Sequence, residues 1–85
     1  MEVAYSKKAK EDIDFWKNSG NQKIMTKISD LITAITLNPY TGIGKPERLR
    51  HHLTGYWSRR INQEHRIVYE LTDNKLLIHS LKGHY

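Results

Sequence analysis

The stretch Gly44-Lys45-Pro46-Glu47-Arg48-Leu49-Arg50-His51-His52-Leu53-Thr54-Gly55-Tyr56-Trp57-Ser58-Arg59-Arg60-Ile61-Asn62-Gln63-Glu64-His65-Arg66 decides how this chain folds. Pro46 has no N–H to give to a ladder, so Lys45 to Leu49 reads as a short extended piece at a sheet edge. Thr54-Gly55 introduces a firmer strand, Tyr56 to Ile61, and His65 opens another that runs to Leu71. The same stretch gathers Lys45, Arg48, Arg50, Arg59, Arg60 and Arg66 around two carboxylates, Glu47 and Glu64, and interleaves Tyr56 and Trp57. Cations among aromatics are suited to holding a phosphate backbone and stacking a base. The centre of the chain therefore reads as a surface for RNA, and its flanks as scaffold.

Toward the C-terminus, Leu76 to Lys82 makes a third strand. The connections 62–64 and 73–75 are short and polar, which predicts an antiparallel meander. Toward the N-terminus, Glu2 to Tyr5 forms a short strand with Val3 and Tyr5 on one face. Ser6 offers a helix N-cap. Ala9, Ile13 and Trp16 then recur at helical spacing until Asn18-Ser19-Gly20 stops the helix. A second helix carries one apolar stripe, Ile24, Ile28, Leu31, Ile32 and Ile35, and ends at Asn38-Pro39. The fold class is α+β: an N-terminal strand and an antiparallel helical hairpin packed on one face of a C-terminal antiparallel sheet, in a single domain spanning 1–85. The opposite face is left for function.

Strand parity sharpens this reading. Trp57 and Ile61 share the core-directed face with Arg59, which must snorkel or find an acid. Tyr56, Ser58 and Arg60 share the other face. A three-residue loop at 62–64 sets Arg60 opposite Arg66, a like-charge pair that a bound anion would relieve, unless each arginine splays toward its own carboxylate. For the last hairpin two registers stay open. A three-residue turn at 73–75 puts Arg66 opposite Lys82 and His84 on the Arg66 face, whereas a two-residue Asp73-Asn74 turn sends His84 to the other side.

Composition bounds the answer. A chain of 85 residues with net charge +5, 38% hydrophobic and 27% charged residues, supports one modest core and favours a polyanionic partner. With no cysteine, disulfides and thiolate metal sites are excluded. No apolar run approaches a membrane span, and Met1 to Tyr5 lacks a signal-peptide pattern, so a cytoplasmic protein is expected. His51 and His52 are adjacent while His65, His79 and His84 are scattered, a poor zinc pattern. Neither a metal nor a cofactor is expected, and His79 reads as structural.

The combination Gly44-Lys45-Pro46-Glu47, Leu53-Thr54-Gly55-Tyr56-Trp57-Ser58-Arg59-Arg60-Ile61, Glu64-His65-Arg66-Ile67-Val68-Tyr69 and the terminal His84-Tyr85 closely resembles the Txe/YoeB toxins of the RelE/ParE superfamily, over essentially the full length. The resemblance implies a RelE-like fold. It also implies a ribosome-dependent mRNA endoribonuclease that cleaves message in the ribosomal A site without metal, as the toxin of a type II toxin–antitoxin pair. By the same resemblance Glu47 is the general base, Arg60 and Arg66 contact the phosphate, His84 is the general acid and Tyr85 stacks on or positions a base. Arg50, and Lys45 of the Lys-Pro-Glu motif, are substrate-binding cations. The implied partners are mRNA, the ribosome and a Phd/YefM-type antitoxin with an acidic tail. Homodimers occur among such toxins.

Three positions depart from the pattern: Arg48 replaces a frequent second proline, Arg50 a frequent lysine, and Gly83 a bulkier residue. Each catalytic group is retained. Taken singly, Glu47 reads as an ion-pair partner of Lys45 or Arg50, His84 and Tyr85 as a frayed end, and Trp57 and Tyr69 as core. Taken together, in this order, they read as a site. The alternatives are a non-catalytic ParE-like gyrase inhibitor, which would lack this set of groups, and a plain RNA-binding module, for which the basic sheet suffices.

Overall fold

Ile24, Ile28, Leu31 and Ile35 recur at helical spacing, and all four are buried along one side of a helix. They set the layer against which everything else packs. The computed structural model describes residues 1–83, and His84 and Tyr85 lie outside the described residues. In chain order the elements are β1 (Glu2–Tyr5), α1 (Lys7–Ser19), α2 (Gln22–Leu37), β2 (Glu47–Arg48), a 3₁₀ turn (His51–Leu53), β3 (Trp57–Arg60), β4 (Arg66–Thr72) and β5 (Lys75–Ser80).

Local chemistry accounts for the helix ends. Ser6 Oγ accepts from the Ala9 N–H at 3.0 Å, the N-cap expected, and also donates to the His79 carbonyl at 2.8 Å, tying the start of α1 to β5. Gly20, at φ 69°, closes α1 in the left-handed conformation that glycine adopts without strain. Asn21 Oδ1 then caps α2 by accepting from the Ile24 N–H at 3.1 Å.

The sheet has five strands in the order β1-β5-β4-β3-β2. The meander β3-β4-β5 is antiparallel as expected, with β2 on its edge, where Pro46 can precede it without costing a ladder bond. The sheet as a whole is mixed, because β1 joins β5 in parallel. A parallel pair needs a long crossover, and here the connection from β1 to β5 runs through both helices. Trp16, Leu31, Ile35, Ile67, Tyr69 and Ile78 belong to the core between the layers, and Trp57 packs on it.

The last hairpin resolves the register in an unexpected way. Its turn is the two-residue one, Asp73-Asn74, with Thr72 paired to Lys75 and both turn residues at positive φ (50° and 61°). Farther along, however, the register shifts. Tyr69 pairs with Ile78 while Val68 pairs with Ser80, leaving His79 as the extra residue of a bulge. At Val68 and Ser80 the bulge restores the offset that a three-residue turn would have produced.

Arg59 corrects the expectation that it snorkels or finds an acid, for its solvent exposure is 0%. Its guanidinium donates to the carbonyls of Asn38 (2.6 Å), Thr41 (3.0 Å) and Ile43 (3.2 Å), and its Nε to Tyr69 Oη (3.2 Å). Tyr69 in turn donates to the Pro39 carbonyl at 2.8 Å. Backbone carbonyls of the crossing from α2 to β2, rather than a carboxylate, satisfy the cation. Burial pushes the Tyr69 hydroxyl above its ordinary value near 10, with Arg59 opposing, so the hydroxyl stays a donor.

Candidate functional site

The site begins with the crossing that Arg59 organises, because that crossing delivers Glu47. Gly44 sits at φ 84°, and a Cβ there would lie 2.8 Å from Leu31 Cδ2, so only glycine lets the chain pass this close to α2. Its carbonyl accepts from the Arg60 N–H at 2.6 Å. With the chain pinned there, Lys45 and Pro46 lead straight into β2, where Glu47 pairs with Ser58.

On the face of the sheet away from the helices, Glu47, Ser58 and Val68 fall in one row, and Arg60 lies directly opposite Arg66 in the next. The expected like-charge pair is therefore present. Arg66 turns along the sheet, its Nη1 lying 3.4 Å from Glu47 Oε2 and 3.3 Å from Ser58 Oγ. Its side chain is 16% exposed, against 60% for Glu47, and Arg60 is exposed. Glu47 thus pairs with Arg66, which displaces the reading of it as a partner of Lys45 or Arg50. Those two lie exposed in the chain on either side of Glu47. A groove of ≈ 520 Å³ lined by residues 47–53 opens beside the carboxylate.

This face is less bare than expected. Ser58 is 0% exposed and Leu49 and Val68 are buried, so the polar groups stand on a packed floor rather than on a bare sheet. Next to them the bulged His79 stacks on Tyr56 with ring centroids 4.4 Å apart, and its Nε2 lies 2.9 Å from Glu70 Oε1. These two contacts are what hold His79, which its place in the last strand had marked as a structural residue. Among the described residues no three His, Asp or Glu side chains gather as a metal would require.

Of the residues expected at the site, Glu47, Arg60 and Arg66 are on one face, Lys45 and Arg50 flank it, and His84 and Tyr85 lie outside the described residues. Sequence reading missed three polar groups. Ser58 is one, because its burial depends on which strands flank it. Asp12 is another: it is 5% exposed, holds Lys8 Nζ at 2.6 and 2.8 Å, and accepts the Leu81 N–H at 2.9 Å. The i,i+4 spacing of Lys8 and Asp12 was the available signal. The third is His65, whose Nδ1 accepts the Gly83 N–H at 2.9 Å.

The family model for the YoeB-like toxin of bacterial type II toxin–antitoxin systems matches residues 5–85. The chain is similar to Toxin YoeB of Synechocystis sp., with 46% identity over 100% of this chain and 98% of the relative. Among solved structures it resembles the YoeB/ParE toxin from Agrobacterium tumefaciens, at TM-score 0.96 and 36% identity with both chains fully covered. It also resembles the toxin in the heterotetrameric YoeB–YefM complex from Staphylococcus aureus, at TM-score 0.89 and 44% identity over 100% and 98% of the two chains. A YoeB dimer from the same bacterium has also been solved. A full-length match at these identities, on the fold and site just described, makes this chain a member of the YoeB-like toxin family of bacterial type II toxin–antitoxin systems.

Proposed function

We propose that the chain is a ribosome-dependent mRNA endoribonuclease that cleaves without metal. The observation that carries the reading is the grouping of Glu47 with Arg66, and of Arg66 with Arg60, on one sheet face. RNA cleavage of this kind needs a base, an acid and cations at the phosphate. Glu47 takes the proton of a 2′-hydroxyl as that oxygen attacks the adjacent phosphorus. Negative charge that builds on the phosphoryl oxygens is met by Arg60 and Arg66. The P–O5′ bond breaks, and His84 protonates the departing oxygen. One product ends in a 2′,3′-cyclic phosphate and the other begins with a 5′-hydroxyl.

The electrostatics support this division of roles. The Glu47–Arg66 contact is long and solvent-facing, so it is worth at most about 1 kcal/mol. A phosphate can therefore take Arg66 while leaving the carboxylate available as a base. Lys45 and Arg50 extend the cationic edge along the message, with Tyr85 as the base-stacking group. So small a surface reads little sequence by itself, which makes positioning by the ribosomal A site a sensible source of effective concentration.

A YefM-type antitoxin is proposed as the neutralising partner, its acidic tail attracted by the +5 charge, and the same cytoplasm as the place of action. Sequencing RNA 5′ ends after a brief pulse of expression tests the function. New ends within translated codons, lost in Glu47→Ala and His84→Ala variants, are expected. Untouched message during growth arrest would refute it.

A further inference from the structure

The last described residues are held from two sides. From α1, the Asp12 carboxylate accepts the Leu81 N–H at 2.9 Å, Trp16 Nε1 donates to the Leu81 carbonyl at 2.9 Å, and Lys8 Nζ reaches the Lys82 carbonyl at 3.3 Å. From the start of β4, the Arg66 N–H donates to the Gly83 carbonyl at 3.2 Å, and the His65 imidazole accepts the Gly83 N–H at 2.9 Å. Gly83 is thus fixed at both its backbone groups, in a left-handed conformation (φ 92°) that side-chain-bearing residues rarely adopt.

The His65 contact specifies a chemical state. A backbone N–H only donates, so Nδ1 must present its lone pair, and the ring is neutral with its proton on Nε2. The ring cannot turn away easily. It stands edge-on to Trp16 with centroids 4.9 Å apart, and the backbone that carries it is pinned, the His65 main-chain N–H donating to Asn62 Oδ1 at 2.7 Å. The next residue along the chain is Arg66, whose side chain reaches Glu47. One dipeptide therefore places a guanidinium at the site and grips the backbone that leads to His84.

Resting on the nuclease reading above, we infer that His65 is a positioning residue: its neutral Nδ1 anchors Gly83 and so sets the point from which the chain delivers His84 to the leaving oxygen. His65 touches no reacting atom in this role. Its effect on cleavage passes entirely through His84.

Four variants in single-turnover cleavage of ribosome-bound message test this, with ribosome affinity measured alongside. His65→Leu removes the acceptor at similar size, and His65→Asn keeps an oxygen near the Nδ1 position. Misplacing an acid by about an ångström costs on the order of 10²-fold. His65→Leu should therefore lower the cleavage rate by about that factor without changing ribosome affinity, and His65→Asn should restore most of it. In a His84→Ala background, His65→Leu should cost nothing further, because the group it positions is gone. Wild-type cleavage by His65→Leu, or losses that multiply in the double variant, would overturn the inference. Full activity of His84→Ala would instead overturn the role of His84 in the nuclease reading itself. Amide hydrogen exchange on the unaltered protein gives a check that needs no variant to fold. The Gly83 N–H should be protected, and exchange at the rate of an open chain would refute the anchor.

Discussion

At the scale of single residues, the contrast between two arginines in neighbouring strands is instructive. Arg66 makes a long contact to a half-open carboxylate, whereas Arg59, with no carboxylate partner among the described residues, is fully buried under backbone carbonyls. The first interaction is easily exchanged for a ligand, and the second is expensive to disturb. Replacing Glu47 by Gln should thus leave stability within about 0.5 kcal/mol of wild type and cut the cleavage rate by on the order of 10²–10⁴-fold, as single-turnover kinetics beside urea unfolding would show. Arg59→Leu should do the opposite first. It leaves three carbonyls without their donor and takes one of the two partners of the Tyr69 hydroxyl, and should lower unfolding stability by about 3 kcal/mol, read from urea midpoints at constant m-value. The placing of Arg60 opposite Arg66 was legible from strand parity, whereas Glu47 was singled out by the motif resemblance alone. The solution found for Arg59 was not, since its partners are carbonyls of a crossing whose path no local pattern reveals.

At the scale of elements, the helices and the meander could be read almost directly, because their apolar positions repeat at 3.6 and 2 residues. The parallel docking of β1 on β5 could not, as nothing in four residues of strand names a partner so distant in sequence. The β4–β5 hairpin shows a subtler limit. Its Asp73-Asn74 turn carries the side chains that tolerate positive φ, yet the bulge at His79 undoes the register that turn implies. A bulge of this sort has no short-range signature here. It is stabilised after folding by the stack on Tyr56 and the contact to Glu70. The turn itself can be improved. Asn74→Gly fills the second position of a type I′ turn with the residue that favours positive φ there, and should raise stability by up to about 1 kcal/mol, visible as a higher thermal midpoint.

At the scale of the whole molecule, the Ser6 cap ties α1 to β5, and Asp12 and Trp16 tie it to Leu81 just beyond that strand, so the helical layer and the end of the sheet should unfold as one unit. Alkaline pH probes the folded core through Tyr69. Its hydroxyl is pushed above 10 in the folded state, so the unfolded chain ionises first. The stability this gives is complete below pH 10 and is lost as pH rises through the folded value. Urea unfolding from pH 9 to 11.5 should show a downward slope in wild type that is reduced in Tyr69→Phe. Equal slopes would mean that the hydroxyl ionises alike in both states.

The claim on which the account turns is that Glu47, Arg60, Arg66 and His84 act on one phosphodiester. The most direct measurement is the chemistry of the cut ends, produced by purified protein on programmed ribosomes in the presence of a chelator. The account predicts 2′,3′-cyclic phosphate and 5′-hydroxyl ends at an A-site codon, made at a rate lowered by on the order of 10²-fold or more in Glu47→Gln. Intact message, 5′-phosphate ends, or a Glu47→Gln protein as fast as wild type would contradict it.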